Sequence, residues 1–352
     1  MTAHKGWISR RAALTGLAGA VPIFGAPGFG ARAQSLPDAT LAAANREGAV
    51  VFHTSIEIGL CEKMIAGFNA QHPGIRVELE RTGAERILQR ITQEYGSGIY
   101  AADVVESSDT GMFLDWSKRG WLAAFLPDSV RAWPVEERDP AGRFASVRAS
   151  LSIIAYNTKQ VKPEDAPRSF ADLLQPKWRM RMVKAHPSYS GSIYTATYAT
   201  VQALGWEYME KLAKQRVMQV QSATEPPKKV ALGERSVAVD GAEYVFLDMI
   251  DRGSPMQPVY ATEGSPIFSG LASVMERAAH PNAARVFMTY LFSRECQQIM
   301  SDVGSLRSFH PDVRDKPGRT PLADIKLLRS TAEELSAAAE ETKRRYSAIF
   351  GV

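Results

Sequence analysis

Between Val50 and Glu80 the apolar positions change period twice. Val50-Val51-Phe52 is a short continuous run with the length of a buried strand. Leu60, Cys61, Met64, Ile65 and Phe68 then fall three and four apart on one helical stripe. After Pro73-Gly74 breaks the stripe, Ile75, Val77 and Leu79 alternate as a second strand. Strand, helix and strand within about thirty residues predict a right-handed crossover and a parallel pair. Between the first strand and the helix stands Thr54-Ser55-Ile56-Glu57, with the spacing of a capping box. A strand that ends where a helix begins turns free backbone N–H groups outward, and open α/β sheets bind ligands at such ends.

The pattern repeats. Thr82-Gly83-Ala84-Glu85 has capping-box spacing before Ile87, Leu88, Ile91 and Tyr95. The strand Asp103-Val104-Val105-Glu106 leads through Ser107-Ser108-Asp109 into Met112, Phe113 and Trp116, and Gly120 reads as a stop. Residues 127–146 are rich in proline and charge and read as a loop. Strands are predicted at Leu151–Asn157, Met180–Lys184, Val217–Val220, Val237–Val239, Met256–Tyr260 and Ala272–Val274, and a short capped helix at Pro167–Leu174. Long amphipathic helices are predicted over Pro281–Met300 and Thr331–Phe350.

Four clusters are candidates for binding. Thr54-Ser55, Ser107-Ser108 and Ser190-Gly191-Ser192 each join a strand to a helix. They present hydroxyls and N–H groups, chemistry that suits an oxygen anion or a polyol. Helix capping without a ligand is the alternative for each. Asp240, Glu243 and Tyr244, after the strand at Val237–Val239, could instead hold a cation, a hydroxyl or an amine. They equally fit a cap and a core tyrosine. If both sets face one crevice, the ligand has an anionic end and a hydroxyl- or amine-bearing end.

Charge changes the picture once the N-terminus is read. Residues 1–33 carry Lys5, Arg10 and Arg11, then an apolar Gly/Ala-rich stretch, then Ala31-Arg32-Ala33. They are expected to be a cleaved export signal of twin-arginine type. The segment holds four of the chain's 42 basic residues and none of its 38 acidic ones. A balanced mature chain has no basic field for nucleic acid. Cys61 and Cys296 both read as buried small hydrophobes, and the sequence does not decide whether they pair. There is no CxxC or HExxH spacing, and no Gly-x-Ser-x-Gly elbow around Ser190, which weighs against an exported hydrolase.

Three phrases, in this order, resemble the periplasmic solute-binding proteins of ABC importers, in the subgroup that binds ferric ion, organophosphates or phosphonates. They are Ala149–Thr158, Pro167–Leu174 with Pro176-Lys177-Trp178, and His280-Pro281-Asn282-Ala283-Ala284 running on to Leu291-Phe292-Ser293. The resemblance implies an α/β, two-lobe periplasmic-binding-protein fold of type II-like topology, its lobes joined by crossing strands and closing by a hinge. Lobe one is placed at 36–145 plus 262–310 and lobe two at 146–261, with 311–352 packing back as a helical segment. The implied function is non-catalytic: a periplasmic monomer without cofactor captures a small solute and passes it to an ABC permease at the inner membrane. A sensor partner that presents ligand to a receptor uses the same fold. The ferric members use a histidine after the first strand and paired tyrosines. Here His53 stands a few residues early, and Glu243-Tyr244-Val245 carries one tyrosine where the pair is expected. The expected solute is therefore a small oxygen-rich organic anion, with Fe3+ on Tyr244 and Glu243 as the alternative.

Overall fold

The computed structural model describes residues 36–352. The export-signal reading of residues 1–33 therefore lies outside the described residues. Among the described residues, no helix is long and apolar enough to cross a membrane.

The described residues begin with α1 (Asp38–Glu47), β1 (Ala49–Thr54), α2 (Ile58–Gln71), β2 (Arg76–Arg81), α3 (Ala84–Gly96), β3 (Val104–Ser107) and α4 (Thr110–Lys118). As the spacing predicts, β1 pairs in parallel with β2 and also with β3. β4 (Ala145–Leu151) runs straight into β5 (Ile154–Asn157), followed by β6 (Met182–Ala185), α5 (Gly191–Leu204), α6 (Trp206–Lys214) and β7 (Met218–Val220). Then come α7 (Glu225–Ala231), β8 (Val237–Ala238), α8 (Glu243–Asp251), β9 (Met256–Val259) and β10 (Ser265–Val274). The chain finishes with α9 (Pro281–Leu291), α10 (Arg294–Asp302), β11 (Leu327–Leu328) and α11 (Ala332–Phe350).

Two sheets result. One has the order β11-β10-β3-β1-β2, with β4 also paired to β10; the other is β7-β6-β8-β5-β9. The chain crosses between them at Ser152-Ile153 and again between β9 and β10. The two crossings are tied together where the Ser152 N–H donates to the Pro266 carbonyl at 2.8 Å. The first sheet is buried on one side by Phe52, Met64, Phe68 and Phe287, and on the other by Ile87, Phe113 and Trp116. The second packs around Trp178, Met182, Leu212 and Val237.

Several elements differ from the pattern-based expectation. The run Leu151–Asn157 is not one strand. Leu151 ends β4 in the first sheet and Ile154 opens β5 in the second, so the changeover falls later than residue 146. The helix expected over Pro281–Met300 is two helices, because Ser293 breaks it and caps the second through Oγ, which accepts from the Cys296 N–H. The strand expected at Ala272–Val274 is longer and starts at Ser265. Neither early capping box forms. Thr54 stays in β1 and Glu57 caps α2, accepting from the Leu60 N–H, while α3 starts at Gly83 without a side-chain cap. The capping box that does form is Thr331 with Glu334, at the head of α11.

α11 touches parts of both halves. Lys343 pairs with Glu85 on α3, the Tyr194 hydroxyl on α5 donates to the Leu335 carbonyl, and the Tyr346 hydroxyl donates to Gln219 at 2.7 Å. Cys61 and Cys296 are both free and fully buried. Burial pushes the Cys61 thiol up to about 12, so neither presents a thiolate at neutral pH.

Candidate functional site

A crevice between the two sheets is lined by the starts of five helices. Gly83 and Ala84 open α3, Ser108 precedes α4, Ser190 and Ser192 start α5, Thr224 precedes α7, and Ala242 precedes α8. Each start leaves backbone N–H groups without an intrahelical partner and contributes a partial positive charge. The two sides meet closely. A Cβ on Gly191 would lie 2.8 Å from the Asp109 nitrogen, so glycine is what allows α5 to abut the start of α4. The free space is only about 30 Å3.

Two guanidiniums face this space, Arg81 at the end of β2 and Arg148 in β4. Arg148 is 2 % exposed and bound to Glu106 on β3, at 2.9 Å through Nε and 2.8 Å through Nη2. Glu106 is fully buried and also accepts from Thr54 Oγ1 at 2.6 Å and from the Ser55 N–H at 3.0 Å. One carboxylate thus fixes both the first loop and the arginine. Arg81 donates through Nε to the Ile56 carbonyl at 3.1 Å. Among the described residues it has no carboxylate partner, so its charge remains uncompensated at the crevice wall.

Of the residues expected from sequence, Ser55, Ser108, Ser190, Ser192 and Tyr244 line this crevice together. Ser190 and Ser192 share a hydroxyl–hydroxyl bond of 3.1 Å. Burial pushes the Tyr244 phenol up to about 12, against the opposing pull of Arg148 and Arg81. The other expected residues are engaged elsewhere. Thr54 is bound to Glu106, and Ser107 Oγ accepts from the Asp109 N–H at 3.2 Å within its turn.

Asp240 and Glu243 do not reach the crevice, and the expectation that they offer it carboxylates is corrected. Asp240 is paired with Lys184 at 2.7 Å and accepts from the Ala185 N–H at 2.9 Å. Glu243 is fully buried between Arg307 (2.9 Å), Arg319 (3.0 Å) and the Tyr260 hydroxyl (2.8 Å). Among the described residues, no group of three or more His, Cys, Asp or Glu is placed to hold a metal ion.

Sequence reasoning missed Arg81, Arg148, Glu106, Ser222, Thr224 and Phe268. Arg148 carried a readable signal, since it is the one charge in the otherwise small and apolar run Ala145–Leu151. Such a charge is buried only with a partner.

His53 lies in β1, fully buried and outside the crevice, and neither ring nitrogen has a hydrogen-bond partner. Burial, then Arg90, lowers its pKa from 6.5. Above that value both folded and unfolded states are neutral. Below it the unfolded chain takes up a proton that the folded ring refuses, so stability falls as pH drops from 6.5 toward the lowered value. The slope contributed by this ring reaches about 1.4 kcal/mol per pH unit. His53→Leu is expected to flatten this part of the acid limb in thermal melts between pH 7.5 and 5, and equal acid slopes for both proteins would contradict the assignment.

A family model described as bacterial extracellular solute-binding protein matches residues 104–319. The Fe(3+)-binding periplasmic protein of Serratia marcescens is 21% identical over 308 residues, 84% of this chain and 89% of that protein. Among solved structures, the periplasmic binding protein AfuA from Actinobacillus pleuropneumoniae, with exogenous fructose-6-phosphate bound, superposes with a TM-score of 0.79. The match has 21% identity and covers 87% of this chain and 99% of that one. Iron-bound HitA from Pseudomonas aeruginosa gives 0.74 at 20% identity, over 86% and 99%. These likenesses carry the two-lobe α/β periplasmic-binding-protein fold.

Proposed function

The chain belongs to the bacterial extracellular solute-binding proteins, and on that premise we propose that it captures a small organic anion of phosphate-ester, phosphonate or carboxylate type and delivers it to an ABC permease from the periplasm. The lobes are 36–151 with 262–310, and 152–261, with the hinge at the two crossings next to Ser152 and Pro266. The observation that carries the reading is the pair of guanidiniums, one of them without a carboxylate, in a crevice ringed by five helix starts and five serine hydroxyls. The guanidiniums, the helix starts and the hydroxyls all favour negative charge on the ligand. The fructose-6-phosphate bound by AfuA is of the same class.

A second reading, ferric iron, is favoured by Tyr244 facing the crevice and by the iron-binding relatives. It requires a tyrosinate, with a synergistic anion on the serine loops. The geometry supports the organic anion better, because Asp240 and Glu243 are consumed in ion pairs and the charges left at the wall are positive.

A thermal-shift screen separates the two. At one hundred times the dissociation constant a true ligand adds about 2.7 kcal/mol of stability. Orthophosphate or fructose 6-phosphate is expected to raise the melting temperature, and ferric citrate to raise it no further than iron-free sodium citrate does. Stabilisation by ferric citrate alone would contradict the proposal.

A further inference from the structure

A much larger cavity, about 650 Å3, lies beside the crevice. It is bounded by the start of α4, the loop 135–140, the segment Ile267–Leu271 of β10, and residues 329–335 at the head of α11. The partition between the two spaces is thin. Phe268 lines both. Ser108 faces the crevice, while Thr110, two residues on, faces the cavity. Ser192 faces the crevice, while Thr195, one turn along α5, faces the cavity. The crevice has room for little more than a small anion, whereas the cavity falls within the roughly 300–1,000 Å3 of small-molecule sites.

The lining has its own chemistry. Six hydroxyl-bearing side chains line it: Thr110, Ser146, Thr195, Ser269, Ser330 and Thr331. Hydroxyls both donate and accept hydrogen bonds, so this lining suits a polar occupant. Carboxylate side chains outnumber guanidiniums on the lining five to two. A second anionic group would be repelled there, while hydroxyls would be accepted.

We propose that this cavity receives the body of the solute: a monoester whose anionic end sits at Arg81 and the start of α5, and whose uncharged, hydroxylated body passes Phe268 into the larger space, with residues 329–335 closing its far end. The proposal rests on the anion reading of the crevice and adds the shape and charge of the rest of the ligand. α11 then has a role in recognition, because its first turn forms one wall of the body pocket.

The test is a calorimetric series with orthophosphate, glycerol 3-phosphate and fructose 6-phosphate. In the wild type, affinity is expected to rise by at least about tenfold from orthophosphate to the six-carbon ester, equivalent to about 1.4 kcal/mol. Ala332→Trp fills the cavity from its half-exposed rim and is expected to abolish that gain while leaving orthophosphate affinity unchanged. Thr110→Val, which keeps the shape and removes one hydroxyl, is expected to weaken only the esters, by roughly 2- to 10-fold. A flat series in the wild type overturns the proposal, as do variants that weaken all three ligands alike. Binding of orthophosphate without any gain from the body removes this inference and leaves the anion reading standing. Binding of none of the three removes both.

Discussion

Glu243→Gln is expected to destabilise the protein by about 3–5 kcal/mol, the loss typical when one partner of a buried ion pair is removed. Glu243 is fully buried, and it holds two guanidiniums at once, Arg307 and Arg319, whose side chains are each 3% exposed. Their other acidic neighbour is Asp315, 45% exposed and at 3.8 and 3.7 Å, too distant and too wet to replace it. Arg307 also exchanges two backbone hydrogen bonds with Ala149 on β4. The Glu243 cluster thus fastens α8 in one half to the strand that leaves the other. The melting midpoint should fall on the order of 5–10 °C. Below the new midpoint, orthophosphate affinity should match that of the wild type, because the carboxylate does not face the crevice. A variant that melts normally but loses binding would return Glu243 to the site.

Arg81→Ala is expected to act the other way, on binding rather than stability. Arg81 is half-buried at the end of β2, and its guanidinium contacts the carbonyls of Ser55 and Ile56. Removing it breaks no ion pair among the described residues. It does remove the uncompensated positive charge from the crevice wall. A charge-assisted hydrogen bond to an anion contributes about 1.5–3 kcal/mol, so affinity should fall roughly 10- to 100-fold. Arg81→Lys should recover part of the loss, since it restores the charge without the fork. Arg148→Ala is a poorer test, because it strands Glu106 in the core and its effect on folding would hide its effect on binding. Unchanged affinity in Arg81→Ala would remove this residue from the site.

The parts of this fold that were legible in the sequence are those set by local period. Each strand-to-helix junction showed its hydroxyls, and Ser55, Ser108, Ser190 and Ser192 arrive in one crevice because α/β crossovers bring such junctions to the same edge. Glu106 and Arg148 were not legible as a pair. They stand 42 residues apart and meet only because β3 and β4 flank β10. The cluster Asp240, Glu243 and Tyr244 misled for a local reason. Asp240 lies before α8 begins, and Glu243 and Tyr244 are successive helix positions, which do not share a face. Tyr244 therefore turns to the crevice while Glu243 turns to Arg307 and Arg319. The helix break at Ser293 was hidden by an apolar stripe that continues through it, Leu291 and Phe292 on one side and Cys296 on the other.

The most direct test of the anion reading is crystallographic. Crystals of the protein soaked with tungstate, a heavy tetrahedral oxyanion of the same charge class as phosphate, are measured at the tungsten absorption edge, and a second set soaked with ferric citrate at the iron edge. The expected result is one tungsten peak in the crevice, within hydrogen-bond distance of the Arg81 guanidinium and the first N–H groups of α5, and no iron peak on Tyr244. An iron peak on the Tyr244 oxygen, with no tungsten in the crevice, would contradict the account.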